Sequence, residues 1–300
     1  MWDRPLQFET TILSPVDASG VGLHSGLKAS IRILPAAASS GIVFVRSDLE
    51  SFEIPAQWKH VARVSYATSL MREGVLLSTT EHLLSALYGM GIDNARIEID
   101  NLEVPIVDGS ALPFATLLQQ AGIQRLRRRR RYLKIVRPLE VREGPKLVAV
   151  VPADEFRITC RTDYNHPLAG AEQIEMEVSS SYRSEIAPAR TFGFEDELDR
   201  MRDMGLIRGA SLDNAVCFTS DGVLNPGGLR FPDECCRHKV LDLIGDLALI
   251  GRPILGHVIA ERAGHAMHAA LVKKIMHDPS CYELVGWKDA AAEREPVLVN

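Results

Sequence analysis

The sequence predicts an α+β fold made of two halves that share the same order of elements. In each half, strand-like segments come first and helical segments later, which is typical of α+β layers rather than of a doubly wound parallel sheet. No GxxxxGK[ST] motif and no GxGxxG motif after a strand is present, which counts against nucleotide-hydrolysing and dinucleotide-binding domains. The chain has 300 residues, enough for one large domain or two ordinary ones.

The first half contains three predicted strands and two predicted helices. Runs of β-branched and other apolar residues predict strands over residues 29–34, 41–46 and 95–100. A helix is expected to begin near Ser78, because STTE before an apolar run is a capping-box pattern. The spacing of apolar residues in LPFATLLQQAG predicts a second helix over residues 112–122.

A run of five arginines, residues 127–131, separates the two halves. Consecutive like charges repel one another and are not expected inside a core, so the run is predicted to be a solvated linker. It would join a domain of residues 1–126 to a domain of residues 132–300. A basic run can also bind RNA or phosphate. No aromatic residues alternate with these arginines to stack on bases, which favours the linker.

The second half contains further strands and three helices, predicted from the same patterns. The strands are expected over residues 132–141, 146–151, 155–160, 173–178 and 253–260. The helices are expected over residues 193–204 and 233–250 and from about residue 265 onwards.

The composition is that of a globular protein with a large core. Hydrophobic residues make up 46% of the chain and charged residues 24%. The net charge of −5 is not that of a nucleic-acid polycation, so no nucleic-acid partner is expected. No run reaches the ~18 apolar residues that a membrane-spanning helix needs.

The cysteines and the first residues predict a cytoplasmic location. Five cysteines, an odd number without CxxC spacing, argue against a disulfide framework and against a four-cysteine zinc site. The opening MWDRPLQFET lacks the basic and apolar regions of a signal peptide.

The segment RHKVLDLIGD, residues 237–246, places a histidine and two acids on one helical stripe. His238, Asp242 and Asp246 recur at four-residue intervals and therefore share a face. The rest of this helix is apolar nearly all round, which predicts that it is buried. Buried carboxylates are costly unless they meet a cation, a metal or hydrogen-bond donors. Metal ligation and pairing with distant Arg or Lys side chains are therefore both open.

His82, in STTEHLLSALYG, is the best candidate for a third metal ligand. It shares a helix face with Ser85, Ala86 and Gly89, whose small size lets another element approach closely. A catalytic zinc site usually has three protein ligands and an open position for water. The ordinary alternative for a lone histidine is a hydrogen-bonded position in the core.

Glu81, which precedes His82, has two interpretations. It can close the capping box that begins at Ser78 by accepting a backbone N–H. Next to a metal-bound histidine, it could instead act as a general base on a water molecule.

His265 follows Gly264 at a predicted helix start, where the helix dipole should lower the pKa of the imidazole. A neighbouring carboxylate such as Asp246 would raise that pKa again and fix the ring orientation. The combination suits a cationic general acid. His268 is a competitor that spacing alone does not exclude.

Several motifs occur along the chain in an order that resembles one enzyme family. They are GVGLHSG, TTEHLLSAL, GIDNARIEI, VPIVDGSALPF, YNHP, ARTFGF, LNPGGLRF and RHKVLDLIGDL, followed by GH at residues 264–265. Together they run from about residue 10 to residue 275. In order and spacing they resemble the UDP-3-O-acyl-N-acetylglucosamine deacetylases, zinc enzymes of lipid A biosynthesis in Gram-negative bacteria.

The resemblance implies two similar two-layer α/β sandwich domains packed together, with the active site between them. It implies a Zn²⁺ cofactor and hydrolysis of the N-acetyl group of UDP-3-O-(3-hydroxyacyl)-N-acetylglucosamine, giving acetate and the free amine. This is the committed step of lipid A biosynthesis. The UDP-linked acylated glucosamine is then the expected partner of a monomer that makes at most peripheral membrane contact.

The matching motifs also imply catalytic roles. The implied metal ligands are His82, His238 and Asp242. Glu81 would take a proton from water, and Thr191 would donate a hydroxyl hydrogen bond near the oxyanion. His265, oriented by Asp246, would protonate or electrostatically stabilise the leaving amine.

The remaining motifs imply substrate contacts. Lys239 would face the diphosphate, and Lys146, Asp163 and Tyr164 correspond to the nucleotide–sugar region. Phe192 would lie at the entrance of an apolar passage for the acyl chain.

Phe194, Leu198 and Met201 would line that passage, although core packing is the ordinary explanation for such a helical stripe. His24 belongs to the GVGLHSG motif and has no role that its chemistry assigns.

Two functions of other classes remain open at this stage. The chain could be a non-catalytic nucleic-acid or nucleotide-binding protein that uses the arginine run, with Glu81 as a helix cap. It could also be a structural zinc protein, which would need a fourth protein ligand that the sequence does not provide convincingly.

Overall fold

A computed structural model of the chain describes residues 6–178 and 181–286. The outer limits of the predicted domains, at residues 1 and 300, and the opening segment MWDRP lie outside the described residues. Within those two ranges, no helix combines the length and the apolar character that a membrane crossing requires.

The N-terminal half contains ten strands and two helices among the described residues. The strands are β1 (Phe8–Ile12), β2 (Val16–Val21), β3 (Lys28–Pro35), β4 (Ile42–Arg46), β5 (Phe52–Pro55), β6 (Val61–Arg63), β7 (Ser69–Arg72), β8 (Val75–Leu77), β9 (Ala95–Ile99) and β10 (Ile123–Arg129). The helices are α1 (Glu81–Gly89) and α2 (Leu112–Ala121).

The described part of the C-terminal half contains nine strands and four helices. The strands are β11 (Arg131–Ile135), β12 (Leu139–Glu143), β13 (Lys146–Val151), β14 (Phe156–Thr162), β15 (Glu172–Glu177), β16 (Phe192–Phe194), β17 (Val216–Phe218), β18 (Ile254–Glu261) and β19 (Tyr282–Gly286). The helices are α3 (Tyr182–Glu185), α4 (Leu198–Asp203), α5 (Glu234–Leu247) and α6 (His265–His277).

The main N-terminal sheet has five strands in the order β2-β3-β9-β4-β5. β4 lies parallel to β9, and the other neighbours are antiparallel. β3 alternates buried and exposed residues, so that Ala29, Ile31 and Ile33 face the core. The apolar sides of α1 and α2 belong to the same hydrophobic cluster. This half is therefore a two-layer sandwich of one sheet and a pair of helices.

The C-terminal sheet has seven strands centred on β18. Its main order is β12-β13-β18-β11-β19, and β14 pairs with β18 and carries β15. β18 runs parallel to β11 and β14 and antiparallel to β13. Its buried Val258 shares a hydrophobic cluster with Leu241 and Ile244 of α5 and Leu271 of α6. The second half is thus also a sheet covered by two helices.

Helices α1 and α5 pack directly against each other, which joins the two sandwiches through one hydrophobic core. Gly245 makes this approach possible: a Cβ atom added there would lie 2.1 Å from the carbonyl oxygen of Glu81. The layers therefore follow the order sheet, helices, helices, sheet. This arrangement confirms the predicted α+β class with two sandwich-like halves.

The arginine run of residues 127–131 is built into strands rather than forming an irregular linker, although Arg127, Arg128, Arg129 and Arg131 are exposed to solvent as predicted. Arg127, Arg128 and Arg129 belong to β10, which pairs antiparallel with β1, and Arg131 begins β11. A strand accommodates consecutive arginines because neighbouring side chains point to opposite faces, so the charges do not crowd one another.

Individual arginines of this segment also find partners. Arg128 forms an ion pair with Glu9 at 3.2 Å, and Arg130 forms one with Asp93 at 2.8 Å. The Arg130 side chain is only 11% exposed, so one member of the run does reach the interior. Paired in this way, a guanidinium can be buried at acceptable cost.

Two other elements differ from the sequence prediction. The strand expected over residues 132–141 is divided into β11 and β12 near Pro138, a residue that has no backbone N–H to donate. The helix expected over residues 193–204 is limited to α4, because Phe192–Phe194 pairs in parallel with Val216–Phe218. Pairing with a distant strand overrides the local helical pattern there.

Replacing Gly245 by alanine is expected to lower the free energy of unfolding by about 2–3 kcal/mol, because the methyl group overlaps the backbone of Glu81. Helix propensity alone would raise the free energy of unfolding by about 1 kcal/mol in the alanine variant. A decrease would therefore indicate the steric conflict. Urea denaturation measures it. Gly227→Ala is the control, since no atom lies within 4 Å of an added Cβ there. A Gly245→Ala protein as stable as wild type would contradict this account of the interface.

Candidate active site

Three helices bring buried polar side chains to one cavity of about 380 Å³. The start of α1 supplies Glu81 and His82, α5 supplies His238 and Asp242, and the start of α6 supplies His265. These elements belong to both halves of the chain. The cavity therefore lies between the two sandwiches.

His82, His238 and Asp242 form a tight buried cluster. The Nε2 atom of His238 lies 3.3 Å from Oδ1 of Asp242, and Nε2 of His82 lies 3.8 Å from the same oxygen. All three side chains are 5% exposed or less. The four-residue spacing on α5 and the close approach of α1 together produce this convergence.

The cluster consists of two neutral imidazoles, each with a nitrogen lone pair, and one negatively charged carboxylate. Burial lowers the pKa of His82 to about 3 and also lowers the pKa of His238, so both imidazoles are neutral. Burial alone would raise the pKa of Asp242, but His238 and Lys239 hold it well below its ordinary value. Lys239 donates to Oδ2 of Asp242 at 2.8 Å.

The tautomer of His238 follows from its hydrogen bond. Its Nδ1 atom lies 3.0 Å from the carbonyl oxygen of Ala189, which can only accept. Nδ1 of the neutral ring therefore carries the hydrogen. The lone pair of Nε2 then points towards Asp242.

These three side chains fit a divalent metal. Their ligand atoms lie within 4.8 Å of one another, and donors at about 2 Å from a tetrahedral zinc are themselves about 3.3 Å apart. Nδ1 of His82 is buried and has no hydrogen-bond partner among the described residues. Two neutral imidazoles beside an ionised carboxylate form a donor set typical of zinc.

Glu81 faces the cavity rather than capping its helix. Its Oε2 atom accepts the backbone N–H of Thr68 at 3.1 Å, and its Oε1 atom lies 4.0 Å from Nε2 of His265. The N–H of Ser78 donates instead to the carbonyl oxygen of Leu102. The capping-box alternative is therefore wrong. Burial, reinforced by nearby acids, raises the pKa of Glu81 to about 8.

Asp246 contacts both candidate histidines of α6. Its Oδ2 atom lies 2.7 Å from Nδ1 of His265 and 2.8 Å from Nδ1 of His268. Burial would lower the pKa of His265, but Asp246 outweighs this and raises it to about 9. The same contacts overcome the effect of burial on Asp246 and lower its pKa to about 2.

The two histidines differ in where they lie. His265 lines the cavity, and its Nε2 atom is 3.9 Å from Oδ2 of Asp242. His268 is only 1% exposed and lies on the inner side of Asp246. Of the two histidines, His265 is therefore the one whose side chain borders the cavity.

Two residues that organise this site were not identified by any sequence pattern. Thr68 contacts Glu81, Asp246 and His265. Glu103, which is 1% exposed, accepts the backbone N–H groups of His24 and Ser25 and the hydroxyl of Thr79. It thereby holds the GVGLHSG loop beside the cavity. Neither residue lies on a periodic face that a pattern could single out.

Beyond the three candidate metal ligands, Glu81 and His265, five of the residues predicted to serve catalysis or substrate contact line the cavity. They are Thr191, Phe192, Leu198, Met201 and Lys239. The ammonium of Lys239 lies 5.4 Å from the centre of the Phe192 ring, within cation–π range. The cavity therefore combines a polar floor with an apolar wall.

The other assigned side chains lie outside this cavity. Tyr164 and Phe194 belong to a cluster of aromatic rings behind Phe192, with centroids 5.2–5.6 Å from their neighbours. Asp163 pairs with Arg262 in a separate surface depression. Lys146 begins β13 next to Pro145, which borders the same depression.

Comparison of the sequence with those of known proteins identifies a family. The profile of the LpxC family, UDP-3-O-acyl N-acetylglycosamine deacetylase, matches residues 9–277. The chain is 64% identical over 296 residues to the UDP-3-O-acyl-N-acetylglucosamine deacetylase of Solibacter usitatus, covering 98% of this chain and 100% of that protein. It is 46% identical over 293 residues to the protein of the same name from Anaeromyxobacter dehalogenans, covering 96% and 95% of the two chains.

A more distant relative gives the same result. The UDP-3-O-acyl-N-acetylglucosamine deacetylase of Xylella fastidiosa is 43% identical over 294 residues, with 97% of each chain covered. Matches of this extent include both sandwiches and every element that borders the cavity. The chain therefore belongs to the LpxC family of UDP-3-O-acyl N-acetylglycosamine deacetylases.

Proposed function

We propose that this chain hydrolyses the N-acetyl group of a UDP-3-O-(3-hydroxyacyl)-N-acetylglucosamine in lipid A biosynthesis, releasing acetate and the free amine. The observation that carries the proposal is the cluster of His82, His238 and Asp242 at the floor of an apolar-walled cavity. Membership of the deacetylase family supports the substrate class.

His82, His238 and Asp242 are the residues that would hold Zn²⁺. When bound there, zinc supplies Lewis acidity, which polarises an amide carbonyl and lowers the pKa of water towards ~7. The chain's own contribution is to keep both imidazoles neutral and the carboxylate ionised. Lys239 offsets the negative charge of Asp242 from the other side.

Glu81 is the proposed general base. Burial raises the pKa of Glu81 to about 8, so its ionised form is a stronger base than an ordinary carboxylate and becomes more populated as the pH rises towards 8. The N–H of Thr68 fixes one of its oxygens and leaves the other towards the cavity.

His265 is the proposed general acid. Asp246 holds its Nδ1 side and keeps its pKa near 9, so that the ring is cationic at neutral pH. Its Nε2–H then faces the cavity, where an amine leaving group needs a proton. The hydroxyl of Thr191, on the cavity wall, would donate to the oxyanion.

The rest of the cavity suits the remaining parts of the substrate. The ammonium of Lys239 matches a diphosphate, and the apolar wall formed by Phe192, Leu198 and Met201 matches an acyl chain. Phe194 and Tyr164 would support that wall from behind. Lys146 and Asp163, at the neighbouring depression, are proposed to meet the nucleotide.

The five cysteines support the proposed cytoplasmic location. All are buried and unpaired, which fits a reducing compartment. A monomeric state and at most peripheral membrane contact remain predictions from the sequence.

Removing bound metal is expected to lower deacetylation of the UDP-sugar by more than about 100-fold, since the acyl-transfer step loses its Lewis acid. Adding Zn²⁺ to the stripped protein should restore the rate. The measurement is acetate release before and after chelation, with metal content followed in parallel. Full activity in protein shown to contain no metal would refute the mechanism.

The two acids of α5 are expected to differ in zinc binding. Asp242→Asn should weaken zinc affinity by more than the roughly 10- to 100-fold typical of an outer-shell change, because it removes a ligand. Asp246→Asn, its matched control one turn away, should retain affinity within about ten-fold, because Asp246 contacts Thr68, His265 and His268 and none of the candidate metal ligands. Competition with a chromophoric chelator measures both constants. Equal affinities in the two variants would remove Asp242 from the ligand set.

Glu81→Gln is expected to keep bound zinc and to lower kcat about 10²- to 10⁴-fold, because the side-chain amide of glutamine cannot accept the proton from water. Glu73→Gln, at an exposed glutamate in the same half of the chain, is the control and should leave kcat unchanged. Steady-state kinetics and metal analysis of the same samples provide the comparison. A Glu81→Gln enzyme with wild-type kcat would show that another group is the base.

A further inference from the structure

Thr68 is the one described residue that contacts Glu81, Asp246 and His265. It precedes β7, is only 1% exposed and comes from a part of the chain far from α5 and α6. Its carbonyl oxygen accepts both the N–H and the hydroxyl of Thr80, which fixes its backbone at the start of α1. The residue is therefore rigidly placed beneath the cavity.

The hydroxyl of Thr68 has its hydrogen assigned by its neighbours. Oγ1 lies 2.5 Å from Oδ1 of Asp246, and an ionised carboxylate can only accept. The single hydroxyl hydrogen is thus donated to Asp246. Towards Nδ1 of His265, 3.2 Å away, Oγ1 can then act only as an acceptor.

This assignment fixes the ring of His265. Its Nδ1–H is shared between Oδ2 of Asp246 at 2.7 Å and Oγ1 of Thr68 at 3.2 Å. The Nε2 atom is left 4.0 Å from Oε1 of Glu81. Two acceptors define the plane of the imidazole better than one does.

The hydroxyl also limits the freedom of Asp246. Oδ2 of this carboxylate already accepts from both His265 and His268. With Thr68 on Oδ1, each oxygen has its own donor, so rotation of the carboxylate towards His268 would break a charge-assisted hydrogen bond.

The backbone of Thr68 orients Glu81, the other group proposed to transfer a proton. Its N–H donates to Oε2 of Glu81 at 3.1 Å, which directs Oε1 towards the cavity. A single residue therefore orients the carboxylate through its backbone and the imidazole through its side chain.

We infer that Thr68 is a positioning residue that sets the relative orientation of Glu81 and His265 for successive proton transfers. The inference rests on the proposed deacetylase function, in which Glu81 accepts a proton from water and His265 donates one to the leaving amine. Thr68 touches neither substrate nor metal ligand in this role, so its loss should affect turnover rather than binding.

Thr68→Val tests the hydroxyl, because valine has a similar shape and keeps the backbone N–H. We expect kcat for the UDP-sugar to fall about 10- to 100-fold, with KM and zinc content within about two-fold of wild type. Thr68→Ser keeps the hydroxyl and should retain kcat within about three-fold. Thr11→Val removes an equally buried hydroxyl that bonds the N–H of Ala36, and should leave kcat unchanged.

Two kinetic outcomes would overturn the inference. One is a folded Thr68→Val enzyme with the kcat of wild type. The other is an equal loss in the valine and serine variants, which would indicate packing rather than the hydroxyl. If the valine variant does not fold, Thr68→Ala removes the hydroxyl without adding volume and is measured in the same way.

A spectroscopic measurement separates this inference from the proposed function. In ¹⁵N-histidine-labelled protein, His265 should show a protonated Nδ1 whose N–H signal is protected from exchange, and Thr68→Val or Thr68→Ala should make that exchange faster. Unchanged exchange in a folded variant would contradict the role of Thr68 even if the enzyme were active. Wild-type protein that fails to deacetylate the UDP-sugar would instead refute the proposed function, and the exchange result would still decide the positioning role.

Discussion

The contact between the backbone of Glu81 and Gly245 is the constraint on which the rest of the site depends. It brings α1 and α5 so close that ligand atoms from different halves of the chain lie within 4.8 Å of one another. Any side chain at Gly245 would move Glu81 and His82 away from His238 and Asp242. The interface that closes the hydrophobic core is therefore the same interface that assembles the polar cluster.

A buried polar cluster is stable only if each charge has a partner, and the two acids of α5 meet this requirement differently. Asp242 is flanked by the ammonium of Lys239 and two imidazoles. Asp246, one turn later, is surrounded by hydrogen-bond donors from Thr68, His265 and His268. One helix stripe thus holds two carboxylates in different environments, which is how neighbouring acids acquire separate roles.

The local patterns of the sequence were sufficient to predict much of the fold and to single out the polar residues that α5 contributes to the site. The stripe on α5 could be recognised because residues four apart share a helix face, and strands such as β3 and β13 could be recognised from their apolar runs. Contacts between residues far apart along the chain could not be recognised from such patterns. Thr68 and Asp246 are separated by 178 positions, and nothing periodic links them. The small residues on its helix face made His82 a candidate for a third metal ligand, but its grouping with His238 and Asp242 also drew on the resemblance to a family. Short strands such as β16 depend on partners that local sequence does not reveal.

The arginine run shows how a surface charge pattern can serve the fold instead of a ligand. β10 pairs with β1 alone among the described strands, so one of its edges has no strand beside it. An unpaired edge is a template on which a second polypeptide can add by main-chain hydrogen bonding. With Arg125, Arg127 and Arg129 exposed along β10, a second copy of the same edge would bring like charges together. The arginines of β10 therefore oppose edge-to-edge pairing of this strand with a second copy of the chain.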